Sequence, residues 1–410
     1  MTPERAHRVE SLDLIRGVAV LGILAINIAG FAGPSPYVLS PHLPSPGTPA
    51  DEVSFAIKLI FFEGKMRALF CILFGAGVVL FLDHEEERGR FAELLQMRRL
   101  GWLMVFGLLH YYLLWWGDIL FPYAVTGIFI LFAKELPTKA LFIAALAIFL
   151  IWHLTGTIMG WPDVLAEQQV RAGTANLAQL RDYREFQQSV SQHVQEELSA
   201  VRGGFLYLAT YRMTEWTFRP LVVTLDAMGE LLPLMMIGVM LVRTGFFHNA
   251  WPKSRLVLLA FGGTAAGLAL TLGLVIWAWN SGFPPRMMEN MLLYWSALPH
   301  ALVGLGYAAI LVLASSRLAR GPAGRSLIAT GRMAFSNYIT TSLVMTAIFY
   351  GWGLGLAGTI GHAEQWLFVL PAWAVMPVLS RMWLSRYRRG PLEWMWRSLV
   401  EKRWLPNRRN

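Results

Sequence analysis

Charge is scarce in this chain. Only 15% of its 410 residues are Asp, Glu, Lys or Arg, where a soluble domain carries about a quarter. Cysteine is nearly absent. Cys71 stands alone, so no disulfide can form within the chain and no cysteine metal site is available. No metal is expected. The sequence also lacks a GxxxxGK[ST] phosphate loop, an HExxH zinc helix and a GxSxG nucleophile elbow, which removes the usual nucleotide-hydrolysing, zinc-hydrolase and α/β-hydrolase readings. No internal repeat and no low-complexity tract is visible.

Apolar residues fill the space that charge leaves, at 55% of the chain. Runs near 20 residues recur along most of its length, which is the signature of helices that cross a bilayer. The expectation is an all-α, polytopic membrane bundle with about ten spans: 12–32, 65–82, 98–116, 118–134, 138–158, 221–242, 256–279, 291–314, 330–350 and 365–385. The run from Leu14 to Phe31, behind Arg5, Arg8 and Arg16, is longer than the ~7–15 residues of a signal core and reads as a retained first helix.

The net charge of +9 does not point to nucleic acid, because the basic residues sort by loop. Arg88, Arg90, Arg98 and Arg99 fall in one loop, then Lys134 and Lys139, then Arg243, Lys253 and Arg255, then Arg317, Arg320 and Arg325. A basic tail follows from Arg386. The alternate short loops hold almost none. The positive-inside rule therefore places both termini in the cytoplasm. Two segments interrupt the pattern. Residues 33–64 form a proline-rich outer loop followed by the apolar piece Val53–Phe62, too short to span. Residues 162–219 form a long polar stretch of helix formers. The organisation expected is a five-helix half over 1–161, an extracytoplasmic helical insertion over 162–219, and a second five-helix half over 220–410. The insertion reads either as a lid or as a passive helical hairpin.

Ionisable groups inside apolar runs are costly and must face protein, water or a ligand. His110 and Asp118 flank HYYLLWWGD in one of the oiliest stretches and are the first candidates for chemistry; a structural hydrogen-bonded pair is the plain alternative. Asn27, Glu63, Lys65, Arg67, Asp226, Glu230, Glu289 and His300 fall at similar outer depth. A water-filled cavity would satisfy them, and so would separate salt bridges such as Glu63 with Lys65 or Arg67. At the inner side Arg16, one turn from Asp13, and Arg98, Arg99 and Arg332 stand at expected helix starts, where free N–H groups and guanidinium forks suit phosphate. Lipid-headgroup anchoring is the alternative for each.

Several blocks carry a resemblance. SLDLIRGVAVLGILAINI (Ser11 to Ile28), EGKMRALFCILFGAGV (Glu63 to Val78), GLLHYYLLWWGDILFPYAVTG (Gly107 to Gly127), MMIGVMLVRTGFF (Met235 to Phe247), GRMAFSNYITTSL (Gly331 to Leu343) and RRGPLEWMWR (Arg388 to Arg397) resemble the YeiB-like membrane proteins. They are spread in order over nearly the whole chain. The opening block is more distantly similar to heparan-α-glucosaminide N-acetyltransferase and other transmembrane acyltransferases. That resemblance implies a multi-pass protein of the prokaryotic inner membrane, with acyl-CoA or acetyl-CoA bound from the cytoplasm and a small-molecule or saccharide-type acceptor on the far side. It also draws attention to His42, in the outer loop after the first helix.

The functional expectation is an acyltransferase. Arg16, Arg98, Arg99 and Arg332 would hold the donor's phosphates. His110 would act as general base or carry the acyl group, with Asp118 orienting it. Asn27, Glu63, Lys65, Arg67, Glu230 and His300 would line the acceptor side. The alternatives are a small-molecule or proton-coupled transporter, in which the same polar groups line a path, and a membrane scaffold. Expected partners are the lipid bilayer, the acceptor and a second copy of the chain.

Overall fold

A computed structural model describes residues 10–43, 46–248 and 250–409. Arg5 and Arg8 lie outside them. Among the described residues every run of regular structure is helical. Seven apolar helical stretches among the described residues are long enough to cross a membrane: Glu10–Ala32, Pro49–Glu87, Thr138–Arg171, Arg219–Arg243, Lys253–Asn280, Ala297–Leu318 and Trp366–Arg386. Two shorter apolar helices are Leu120–Ala133 and Ala334–Phe349. This is a helical membrane protein.

In chain order the helices are α1 (Glu10–Ala32), α2 (Pro49–Phe61), α3 (Lys65–Glu87), α4 (Ala92–Leu109), α5 (Leu120–Ala133), α6 (Thr138–Arg171), α7 (Leu177–Arg202), α8 (Phe205–Glu215), α9 (Arg219–Arg243), α10 (Lys253–Asn280), α11 (Pro285–Asn290), α12 (Ala297–Leu318), α13 (Pro322–Arg332), α14 (Ala334–Phe349), α15 (Trp366–Arg386) and α16 (Pro391–Val400). The expected run 330–350 is not one helix. It breaks at Met333, between α13 and α14. Arg332 therefore ends a helix rather than starting one.

α1 is apolar on all faces and buried along most of its length, as a central helix should be. Its Ile15, Ala19 and Ile23 pack in one core with Leu69, Ile72 and Ala76 of α3 and Ala308 and Val312 of α12. α3 and α9 cross closely. A Cβ on Gly75 would stand 2.0 Å from the Met235 carbonyl oxygen, and one on Gly238 would stand 2.0 Å from that of Ile72. The GAG stretch is thus a helix-packing device, as small residues in membrane helices commonly are. α6 sits at the periphery, with Phe142, Ile143, Leu146, Leu150, Ile151 and Leu154 exposed where lipid would cover them.

The 162–219 segment is helical. α6 runs on through Pro162 to Arg171, and α7 and α8 then form a hairpin. α7 is capped by Asn176, whose side chain accepts the Gln179 N–H. The hairpin does not stand free. Ala200, Val201 and Leu208 join Leu24, Ile28, Phe31, Trp115, Phe349 and Tyr350 in a second core. The Gly351 N–H donates to the Val201 carbonyl at 2.9 Å. The hairpin therefore covers the ends of α1 and α14, one layer above the His110 turn.

Candidate active site

α4 does not end as an ordinary helix. After Leu109 the chain widens into a π turn, His110–Leu114, and then turns extended at Trp115. Such widened turns often accompany functional sites because they re-aim side chains. Here the turn points His110 inward, with 2% of the residue exposed. Asp118 follows at the entrance to α5, where its Oδ2 accepts the Phe121 N–H at 2.7 Å. That bond satisfies one of the free N–H groups at the helix start and sets the carboxylate against the positive end of the helix dipole. Gly107 makes the approach possible: a Cβ there would lie 2.4 Å from the Phe121 nitrogen and 2.9 Å from Asp118 Oδ2.

The expected pair is formed. His110 Nδ1 lies 2.9 Å from Asp118 Oδ1. The other ring nitrogen was not anticipated to have a protein partner, yet His110 Nε2 lies 2.8 Å from Ser342 Oγ on α14. With Asp118 ionised, Nδ1 carries the ring proton and donates it to the carboxylate. Nε2 then holds a free lone pair and accepts the Ser342 hydroxyl proton. A hydroxyl, an imidazole and a carboxylate in this order share the arrangement of nucleophile–base–acid triads. One helical turn before Ser342, the Tyr338 ring lies tilted 4.9 Å from the imidazole, and its hydroxyl donates to the Gly117 carbonyl at 3.3 Å. Trp115 closes the other side, stacked 4.1 Å from Phe31 and donating its Nε1–H to the Gly30 carbonyl at 3.0 Å.

Ser342 opens onto a small cavity lined by Val20, Leu24, Asn27, Phe31, Tyr338 and Thr341. Its volume of about 10 Å³ holds roughly one water molecule. Asn27 thus joins the His110 group across this space. Its lining includes none of Arg16, Arg98, Arg99 and Arg332.

The other outer candidates form a separate cluster between α3, α9 and α12. Arg67 bridges Glu63 at 3.6 Å and Glu230 at 3.0 Å. Lys65 does not pair with Glu63. It is fully buried and gives its Nζ to the Leu59 carbonyl at 2.6 Å, because Gly64, at φ +69°, turns the chain there. His300 packs against that glycine. Glu230 Oε1, His300 Nδ1 and His153 Nε2 are buried with no hydrogen-bond partner among the described residues. Asp226, one turn from Glu230, is exposed. His42 sits apart, paired with Glu52 at 3.1 Å.

The inner arginines mainly join helices. Arg16 pairs with Asp13 at 3.1 Å. Arg99 lies between the rings of Phe81, at 3.9 Å, and Trp396, at 5.0 Å. Arg98 reaches the Val400 carbonyl at 3.4 Å, and Arg332 the Arg388 carbonyl at 3.0 Å. A helix start does bind an anion here, but the anion is the chain's own. Glu393 of α16 accepts the Phe335 and Ser336 N–H groups at 2.8 and 3.1 Å and the Ser336 hydroxyl at 2.5 Å. It thereby caps α14, the helix that carries Ser342. Burial pushes the Glu393 carboxyl above the ordinary glutamate range, and the Ser336 bonds pull it back.

Ser342 and Glu393 went unremarked in the sequence. Tyr338, Ser342 and Thr346 recur every four residues along α14 and mark a polar stripe on an apolar helix, which is the signal that could have found Ser342. Among the described residues no group of His, Cys, Asp and Glu is arranged to hold a metal ion.

Residues 241–403 match the family described as a protein of unknown function (DUF418). The chain is 28% identical to the uncharacterized protein YxaH of Bacillus subtilis, over 98% of this chain and 96% of that one. It is 28% identical to the uncharacterized protein YeiB of Escherichia coli, over 95% of each. No solved structure matches it.

Proposed function

We propose, on the premise that this chain is a YeiB-like protein, that it is a membrane-embedded acyltransferase. The observation that supports the reading is the buried line Ser342–His110–Asp118 beside a cavity that also holds Asn27. His110 Nε2 takes the Ser342 proton as Oγ attacks the thioester carbonyl of acyl-CoA or acetyl-CoA. The C–S bond breaks, the proton passes from His110 to the departing thiolate, and the acyl group rests on Ser342 as an ester. An acceptor hydroxyl or amine, on a small molecule or saccharide, then gives its proton to His110 and takes the acyl group. The proton returns to Ser342 Oγ. Asp118 holds the imidazole in its tautomer and stabilises the imidazolium. The Asn27 amide is assigned to the developing oxyanion. The donor's phosphates are assigned to the inner basic side, Arg16 and Arg98 foremost, since Arg99 is clamped between two rings.

The topology that goes with this chemistry has ten crossings of a prokaryotic inner membrane, with both termini in the cytoplasm. The α7–α8 hairpin then lies outside. Incubating the purified protein with acyl-CoA tests the reading. An acyl adduct on Ser342, absent from Ser342→Ala, is expected; no adduct and no release of free CoA would overturn it.

A second reading, a transporter, is favoured by the Glu63–Arg67–Glu230 cluster and its unpaired atoms at Glu230, His300 and His153. It predicts gradient-dependent flux in proteoliposomes that stops with Glu230→Gln and survives Ser342→Ala.

A further inference from the structure

A different set of unsatisfied polar atoms lies where the α7–α8 hairpin meets the bundle. Arg212 of α8 is 1% exposed and Glu197 of α7 is 2% exposed. Arg212 donates through Nη2 to the Tyr350 hydroxyl at 3.2 Å. Its Nε and Nη1 have no hydrogen-bond partner among the described residues. Glu197 accepts the Ser35 N–H at 2.7 Å and the Ser35 hydroxyl at 2.8 Å, both through Oε2. Its Oε2 also lies 3.7 Å from His193 Nε2, while its Oε1 has no hydrogen-bond partner among the described residues. The Tyr111 hydroxyl, in the π turn, is likewise unpaired there, and it lies within electrostatic reach of Arg212, Arg219 and Glu197. Arg212 and Glu197 line one gap with Trp116, Tyr211 and Trp216. The gap is closed too tightly to admit a water molecule, so any occupant must enter as the hairpin lifts.

Buried donors and acceptors are nearly always paired, and a charged group left unpaired is the most costly case. The gap has a cationic donor on one wall, an anionic acceptor on another, and aromatic rings between them. A plain anion would suit Arg212 but face the Glu197 carboxylate. A plain amine would suit Glu197 but face the guanidinium. A group carrying an anion and a protonated amine a few bonds apart suits both, and the Trp and Tyr faces favour its ammonium end. The anion would take the planar donor fork of Arg212.

We propose that the α7–α8 hairpin and Trp116 form a binding site for a zwitterionic group, with Arg212 taking its anion and Glu197 its ammonium. A free amino acid and the phosphoethanolamine headgroup of a lipid share this chemistry. The site does not depend on acyl transfer at Ser342.

Two arms test it on the full-length protein. In detergent, glycine is titrated while the melting temperature is followed. In nanodiscs, phosphatidylethanolamine is compared with phosphatidylcholine, and native mass spectrometry counts the lipid retained. A melting shift with glycine identifies the free ligand; selective retention of the ethanolamine lipid identifies the headgroup. Binding at least tenfold weaker is expected for Arg212→Gln, for Glu197→Gln, and for the choline lipid, whose quaternary nitrogen has no N–H to give. The headgroup comparison on the unaltered protein stands even where a variant does not fold. Ser342→Ala should keep the binding and lose acyl transfer, which separates this site from the catalytic reading. No response to glycine together with equal retention of the two lipids would overturn the proposal, as would binding that survives both substitutions.

Discussion

Gly107→Ala should damage the protein twice, once in stability and once at His110. The added Cβ would stand 2.4 Å from the Phe121 nitrogen and 2.9 Å from Asp118 Oδ2. Unstrained contacts settle near ~3.5 Å, so the start of α5 must retreat by about 1 Å. That movement stretches the 2.7 Å bond from the Phe121 N–H to Asp118. Overpacking costs ~1–3 kcal/mol, and loss of a helix cap costs ~1 kcal/mol. The expected loss of stability is therefore roughly 2–4 kcal/mol. Asp118 moves with the helix start, and a misplacement of about 1 Å lowers acylation of Ser342 by roughly a hundredfold. Gly101 supplies the control on the same helix, since nothing lies within 4 Å of a Cβ placed there. Gly101→Ala should be neutral or more stable by up to ~1 kcal/mol. Thermal unfolding in detergent and covalent labelling of Ser342 read the two effects. A Gly107→Ala protein that melts and labels like the parent would refute the reasoning, and so would a Gly101→Ala protein equally impaired.

Asp118→Asn should keep the fold and cut acyl transfer by roughly 10³–10⁴-fold, because the amide no longer fixes the ring tautomer; normal turnover would argue for a purely structural pair. Glu393→Ala exposes the Phe335 and Ser336 N–H groups at the start of α14 and should cost ~1–2 kcal/mol in thermal unfolding. Glu230→Gln should destabilise more than Glu63→Gln, since Arg67 is 3.0 Å from Glu230 and 3.6 Å from Glu63; equal effects would remove the assigned order. Burial, reinforced by Lys58, lowers the His362 pKa from 6.5 to about 3. The unfolded chain therefore takes up this proton first, and the contribution of His362 is complete above pH ~6.5 and falls away as pH drops toward 3. His362→Gln should flatten the acid limb of an unfolding titration over that interval.

Much of the helical layout could be read in advance. Hydropathy located α1, α9, α10 and α15 to within a few residues, because a bilayer demands apolar length and nothing more specific; it placed the start of α6 but not its continuation through Pro162 to Arg171. The break at Met333 was invisible to that argument, since both sides of it are apolar enough to continue. His110 and Asp118 stood out because a charge in an oily run is conspicuous on its own, and they are eight residues apart. Ser342 did not, because a serine is common in membrane helices and its partner is 232 residues away. The inner arginines were legible as a class but not in their contacts. Trp396 and the Val400 carbonyl become their neighbours only through the return of α16 to the bundle, and Phe81 through the packing of α3 beside α4. The widened turn at His110 has no periodicity signal at all, and it is what aims the imidazole.

The cap that Glu393 places on α14 has a consequence for biogenesis. Ser336 leaves the ribosome 57 residues ahead of Glu393, so the helix bearing Ser342 enters the lipid with its leading amides uncapped. They gain their carboxylate only when translation reaches α16. A nascent chain stalled before that point would carry every residue of the Ser342–His110–Asp118 line yet lack the carboxylate that caps α14, so this helix is among the last parts of the protein to be completed.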